Sequence, residues 1–192
     1  MPKTVTILIL GISLLLGAGQ QALWAQNVEK DFALAQQYFQ MGEYEKAAEL
    51  FEKLWEDDYN NAAYYNNLFR SLMQLEDFDR LEKVVKKQVK KNSNELRYLV
   101  DLGYVYQQAN KSEKGEETYL EAIEKVSAND FQIRVLANTF SAYRELDYTI
   151  KTFEKGNDLL KDPNHFDYDL GYAYLQKGEL NIALDYLINF AE

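Results

Sequence analysis

A chain of 192 residues with 47% hydrophobic and 27% charged side chains carries enough apolar material for a packed core, which excludes a long disordered tract. A formal net charge of −10, without any repeated basic and aromatic platform, excludes a nucleic-acid binder held by phosphate contacts. Two prolines and nine glycines leave little material for the turns of an all-β fold, and the lack of cysteine excludes disulfides, thiol chemistry and a lipoprotein signal.

In chain order, the first element is a targeting segment. Residues 1–25, MPKTVTILILGISLLLGAGQQALWA, carry one charge, Lys3, then an apolar run from Val5 to Gly19 and a small-residue exit at Ala22 to Ala25. That three-part layout predicts a secretory signal peptide cleaved after Ala25, hence an exported protein of the periplasm or envelope, or a secreted one. The competing reading is an uncleaved N-terminal anchor, the only part that would then touch a membrane. Against it, Gln20 and Gln21 interrupt the run, and its strongly apolar part is short for a span.

From Val28 onward a period of 34 residues organises the chain. LGYVYQQ at 102–108 and LGYAYLQ at 170–176 set the offset, which divides the sequence into repeats at 28–61, 62–95, 96–129, 130–163 and 164–192. The seventh position is always leucine: Leu34, Leu68, Leu102, Leu136 and Leu170. The eighth is mostly small (Ala35, Phe69, Gly103, Ala137, Gly171), and the eleventh is apolar and largely aromatic (Tyr38, Leu72, Tyr106, Phe140, Tyr174). A second small column holds Ala47, Leu81, Gly115, Thr149 and Ala183, followed by a bulky one at Phe51, Val85, Tyr119, Phe153 and Leu187. These spacings predict two amphipathic helices per repeat, A and B, whose small residues let the backbones approach where they cross. Gly42 and Gly178 suit the positive φ of the A–B turn. Polar clusters at Asn60 and Asn61, Asn92 to Asn94, Asn129 and Asp130, and Asp162 to Asn164 are predicted to cap the next helix.

The motif L-A-x-x-Y then G-E-Y-x-x-A-x-x-x-F in the first repeat, and L-G-x-x-Y then G-E-L-x-x-A-x-x-x-L in the fifth, resembles the tetratricopeptide repeat (TPR). The resemblance covers Val28 to Glu192 and implies an all-α fold, a right-handed superhelical solenoid of about five TPR helix-turn-helix repeats, with helix A lining a concave surface. The second repeat departs from the pattern at Phe69, Leu81 and the inward Gln88, which predicts less regular packing. The fourth departs at Thr149 and Gly156, which predicts a looser helix B. The family's usual proline at the 32nd position is missing from every repeat, and Pro163 lies two positions later in its own.

Carried over position by position, the family's concave surface comprises Phe32, Gln36, Phe39, Asn66, Arg70, Met73, Gln74, Arg97, Val100, Tyr104, Gln107, Gln108, Arg134, Asn138, Tyr168 and Tyr172. Acids are nearly absent from these positions although the chain has 31 of them. Either a crowded inner face tolerates few charges, or this is a peptide groove. In the second case amides bond an extended backbone, aromatics supply rigid contact area, and Arg70 and Arg134 present forked donors to a carboxylate. The carboxylate clamp of chaperone-binding relatives is not reproduced, since Phe32, Gln36, Val100 and Tyr104 occupy its positions.

Elsewhere Lys83, Lys86, Lys87, Lys90 and Lys91 form a basic stripe, read as a solvated outer face or as a docking patch for an acidic surface. The lone His165 reads as a solvent-facing residue at a helix start, because a metal site needs further ligands. No catalytic constellation and no phosphate-binding glycine loop stands out. The expectation is therefore a non-catalytic scaffold of the cell envelope, without cofactor or metal, that binds a protein or peptide. The alternative is the N-terminal sensing or docking region of a longer envelope protein, such as a sensor kinase or enzyme. The fifth repeat stops at its 29th position with Ile182, Leu184, Leu187, Ile188 and Phe190 spread over more than one face. That predicts a following helix, a capping subunit, or self-association through this repeat.

Overall fold

The computed structural model describes residues 27–191, and the predicted signal segment lies outside them. Among these residues all regular structure is helical: α1 (27–40), α2 (Tyr44–Asp57), α3 (Ala62–Gln74), α4 (Phe78–Lys91), α5 (Arg97–Gln108), α6 (Ser112–Glu124), α7 (Asp130–Ala142), α8 (Leu146–Leu160), α9 (Asp167–Lys177) and α10 (Leu180–Ala191). Each repeat, the shorter fifth included, holds one A and one B helix, so the all-α, TPR-like helix-turn-helix repeat is the fold of the described chain.

The period is written into the backbone as well as the side chains. Between the A and B helices positive φ occurs at Gly42 (77°), Glu76 (53°), Asn110 (59°), Arg144 (61°) and Gly178 (86°), the same position in every repeat, and once more at Lys161 (57°), which closes α8. The next residue's N–H reaches back to the aromatic or leucine carbonyl of the eleventh position: Glu43 to Tyr38, Asp77 to Leu72, Lys111 to Tyr106, Glu145 to Phe140 and Glu179 to Tyr174, at 2.8–3.2 Å. This is the six-to-one closure that satisfies the orphan carbonyls of a helix end in a left-handed turn. The turn therefore forms whether or not glycine occupies it.

Capping of the A helices is less uniform than the polar clusters predict. Asn61 accepts from Ala63 N–H at 3.0 Å, and Asn129 from Gln132 N–H at 2.9 Å. By contrast α5 and α9 begin after Leu96 and Phe166, whose side chains cap nothing. The Asp162 to Asn164 stretch is fixed instead by the buried Asn157, which donates to the Pro163 carbonyl at 2.7 Å and accepts from Phe166 N–H at 3.1 Å.

The chain forms two compact units, one ending at Asp77 and the other beginning at Phe78. The division falls inside the second repeat, the one whose small columns are filled by Phe69 and Leu81. In the first unit α2 packs on α3, and Phe32 of α1 sets its ring 5.8 Å from Phe51 and 5.4 Å from Tyr64. In the second unit α5 packs on α6, α7 on α8 and α9 on α10, around a core that includes Val100, Tyr119, Leu136, Phe140, Phe153 and Phe166. The leucine column is buried in four repeats, while Leu34 remains 40% exposed. Helix α8 does not loosen at Thr149 and Gly156: it runs unbroken, and a Cβ on Gly156 would stand 2.6 Å from the Phe166 ring and 2.8 Å from Ile133. Its glycine is a close-packing position, where a neighbouring ring takes the space of the missing side chain.

Candidate partner-binding site

In the first unit Gln36, Asn66, Arg70 and Gln74 are exposed, while Phe32, Phe39 and Met73 are half-buried. Gln36 and Phe39 recur at helical spacing on α1, as do Asn66, Arg70, Met73 and Gln74 on α3. The Arg70 guanidinium lies over the Phe39 ring, 4.8 Å from its centroid, and joins the two helices by a cation–π contact. No carboxylate among the described residues pairs with it, and Gln36 on α1 and Asn66 and Gln74 on α3 are exposed on the same two helices. Phe32 is half-buried in its ring cluster and contributes mainly packing.

The second unit disposes of its candidates differently. Val100 is fully buried and belongs to the core, so it has no surface to offer a partner. Tyr104 stacks on Tyr143 with centroids 4.1 Å apart, and Gln107 lies against Gly115 and donates weakly to the Ser112 carbonyl at 3.4 Å. Gln108, Asn138, Tyr168 and Tyr172 are exposed, Tyr168 with its ring 5.3 Å from Phe190. Arg97 is tied to Glu95 at 3.1 Å and to the Tyr98 hydroxyl at 2.6 Å.

Arg134 is not a free fork. Its Nε meets Asp130 at 3.0 Å and its Nη1 meets Asp169 at 2.5 Å, while His165 Nε2 lies 2.8 Å from the other Asp130 oxygen and His165 Nδ1 3.4 Å from Asp162. The His165 contact and the Arg134 guanidinium hold the Asp130 carboxyl below the usual carboxylate range. This network pins α7 to α9 and to the loop before it, so His165 is a bridge at the helix start rather than a free solvent-facing side chain. The basic stripe is likewise engaged in part: Lys86 and Lys111 converge on Glu82 at 2.6 and 2.8 Å and lower its pKa to about 2.

Two features carry no sequence signal. Tyr143, just past the end of α7, donates to the buried Asp101 carboxylate of α5 at 2.6 Å, a bond between residues 42 positions apart. Asp167, in the first turn of α9, is 1% exposed, and its Oδ2 has no hydrogen-bond partner. Burial and the nearby Asp162 push its pKa above the ordinary carboxylate value. A raised folded-state pKa means that the protonated form is favoured by folding, so this residue costs nothing below its unfolded pKa and costs stability as pH rises through the folded value. Asp167→Asn is therefore expected to be more stable than the parent at pH 7 and equal to it near pH 3, read from urea midpoints at the two pH values. A constant difference across pH would contradict the assignment.

Helix α10 exposes Leu180, Leu184 and Ile188 along one side and Phe190 on another, at 55–62%, exposed apolar surface of the kind that marks an interaction site. Among the described residues no helix is long and apolar enough to cross a membrane, and no group of three or more acidic or histidine side chains is placed to hold a metal ion.

No protein-family model matches the chain, and no curated protein does. Several solved structures resemble it. MamA (residues 41 to the end) from Desulfovibrio magneticus RS-1 is 16% identical over 84% of this chain and 92% of its own, with a TM-score of 0.44. A putative kinesin light chain from Podosopora anserina with nearly identical TPR-like repeats is 15% identical over 84% and 92%, with a TM-score of 0.45. PcrH, solved in complex with the chaperone-binding region of PopB, is 18% identical over 60% and 94%, with a TM-score of 0.48. Likeness at this level says nothing of function.

Proposed function

We propose that this chain is a non-catalytic interaction scaffold of the cell envelope, whose first unit binds an extended polypeptide segment bearing an acidic group. The observation that carries the reading is Arg70. In a chain with 31 acids it is a guanidinium with no carboxylate partner among the described residues, oriented by the Phe39 ring, with exposed amides on the same two helices able to bond a peptide backbone. Export is supported by the signal-type layout of residues 1–25. The exposed apolar side chains of α10 offer a second contact surface for a protein partner.

The test is recovery of partners from the exported fraction with the parent and with Arg70→Glu. The charge reversal is expected to remove the specific partners while costing only the exposed Phe39 contact, about 0.5–1 kcal/mol, so that the protein stays folded. Recovery of the same partners at the same yield would rule the reading out.

A further inference from the structure

A cleft of about 270 Å³ opens between the N-terminal ends of α5 and α7, wholly within the second unit. Its apolar lining comes from Leu96, Val135 and Leu136, and from Phe131, whose surface is 77% exposed although Ile133, Leu136 and Phe140 of the same helix are buried. Its polar lining includes the Arg97–Glu95 pair, joined at 3.1 Å, and two carboxamides, Gln132 and Asn129. Gln132 Oε1 accepts from both the N–H and the hydroxyl of Ser127, at 2.8 and 2.7 Å, and Asn129 Oδ1 accepts from Gln132 N–H at 2.9 Å. Both carboxamide oxygens are thus engaged and both groups held in place, which leaves Gln132 Nε2 and Asn129 Nδ2 as oriented donors without a partner among the described residues. The volume lies below the roughly 300–1,000 Å³ of a pocket that encloses a small molecule, and suits a single side chain.

We propose that this cleft anchors one apolar side chain from within a partner polypeptide, with Phe131 packing on it and the adjacent backbone carbonyl accepting from the Gln132 and Asn129 amides. The site rests on the reading that the chain binds a polypeptide, but it uses neither Arg70 nor the first unit. Its rim explains the choice of occupant: apolar contact and fixed N–H donors together match a side chain next to a carbonyl, the unit that every internal peptide residue offers.

The probe is N-acetyl-leucine N-methylamide, titrated into the whole protein and followed by NMR at Phe131, Val135 and Leu136. Saturable millimolar shifts confined to these residues are expected, with N-acetyl-alanine N-methylamide about tenfold weaker or worse because it lacks the side chain to bury. Phe131→Ala and Gln132→Glu should each weaken binding, the second while keeping an acceptor for Ser127. Equal responses to the leucine and alanine probes, shifts spread beyond the cleft, or unchanged binding by folded Gln132→Glu would each overturn the site. Binding by N-acetyl-leucine with a free carboxylate but not by the capped amide would also overturn it, since the occupant would then be a chain terminus. Arg70→Glu should leave all these shifts untouched, so loss of the first-unit reading and loss of this site are separate results.

Discussion

Phe140→Ala is expected to cost about 3–5 kcal/mol of unfolding free energy, the range for deleting a fully buried aromatic ring and leaving a cavity. Phe140 is 0% exposed on α7, in a T-shaped contact with Tyr119 at 5.2 Å and stacked with Tyr148 at 5.5 Å. It therefore loses aromatic pair energy as well as buried area. The three rings come from α6, α7 and α8, so the cavity cannot collapse by shifting one helix alone. The internal control is Phe131→Ala on the same helix, which should stay within about 0.5 kcal/mol because the ring is largely in solvent. Urea unfolding followed by circular dichroism distinguishes the two, and comparable losses would show that the repeat core is misassigned.

Gly103→Ala should also destabilise, against the sign that helix propensity alone dictates. In the interior of α5 alanine is favoured over glycine by about 1 kcal/mol. A Cβ at Gly103, however, would lie 2.4 Å from Cδ1 and Cε1 of Tyr119 and 3.1 Å from the Gly115 carbonyl. Tyr119 is fully buried, wedged against Phe140 and Tyr148 with its hydroxyl 3.4 Å from Glu145, and has nowhere to retreat. Overpacking of this kind costs about 1–3 kcal/mol, so the net change is a loss. A higher urea midpoint for Gly103→Ala than for the parent would contradict the close α5–α6 crossing.

These two residues belong to the part of the fold that periodicity makes legible. Core columns repeat because each hairpin buries the same face against its neighbours, and a 34-residue offset aligns them without reference to distance. Gly42 and Gly178 mark the left-handed turn directly, whereas Glu76 and Arg144 adopt it only because register and the six-to-one bond impose it. The candidate site was legible to a lesser degree. Its exposed face on α1 and α3 follows from helical spacing, but carrying a concave column into the second unit fails at Val100, an apolar side chain drawn into the core. Arg134 fails for another reason: Asp130 one turn earlier is visible in sequence, while Asp169 and His165 arrive from the next repeat, and together they occupy the fork. Contacts such as Tyr143 to Asp101, or the doubly held Gln132 carboxamide, join positions outside the repeat motif and leave no trace in composition or spacing.

The central claim is that the face built by Arg70, Phe39 and the exposed amides of α1 and α3 recognises a polypeptide carrying an acidic group. Selection from a random peptide library on the purified protein, at low and at high salt, tests it most directly. Peptides enriched in Asp or Glu at one position, bound more weakly in high salt and lost with Arg70→Glu, are the predicted result. Selected peptides without acidic enrichment, or binding that Arg70→Glu leaves intact, would contradict it.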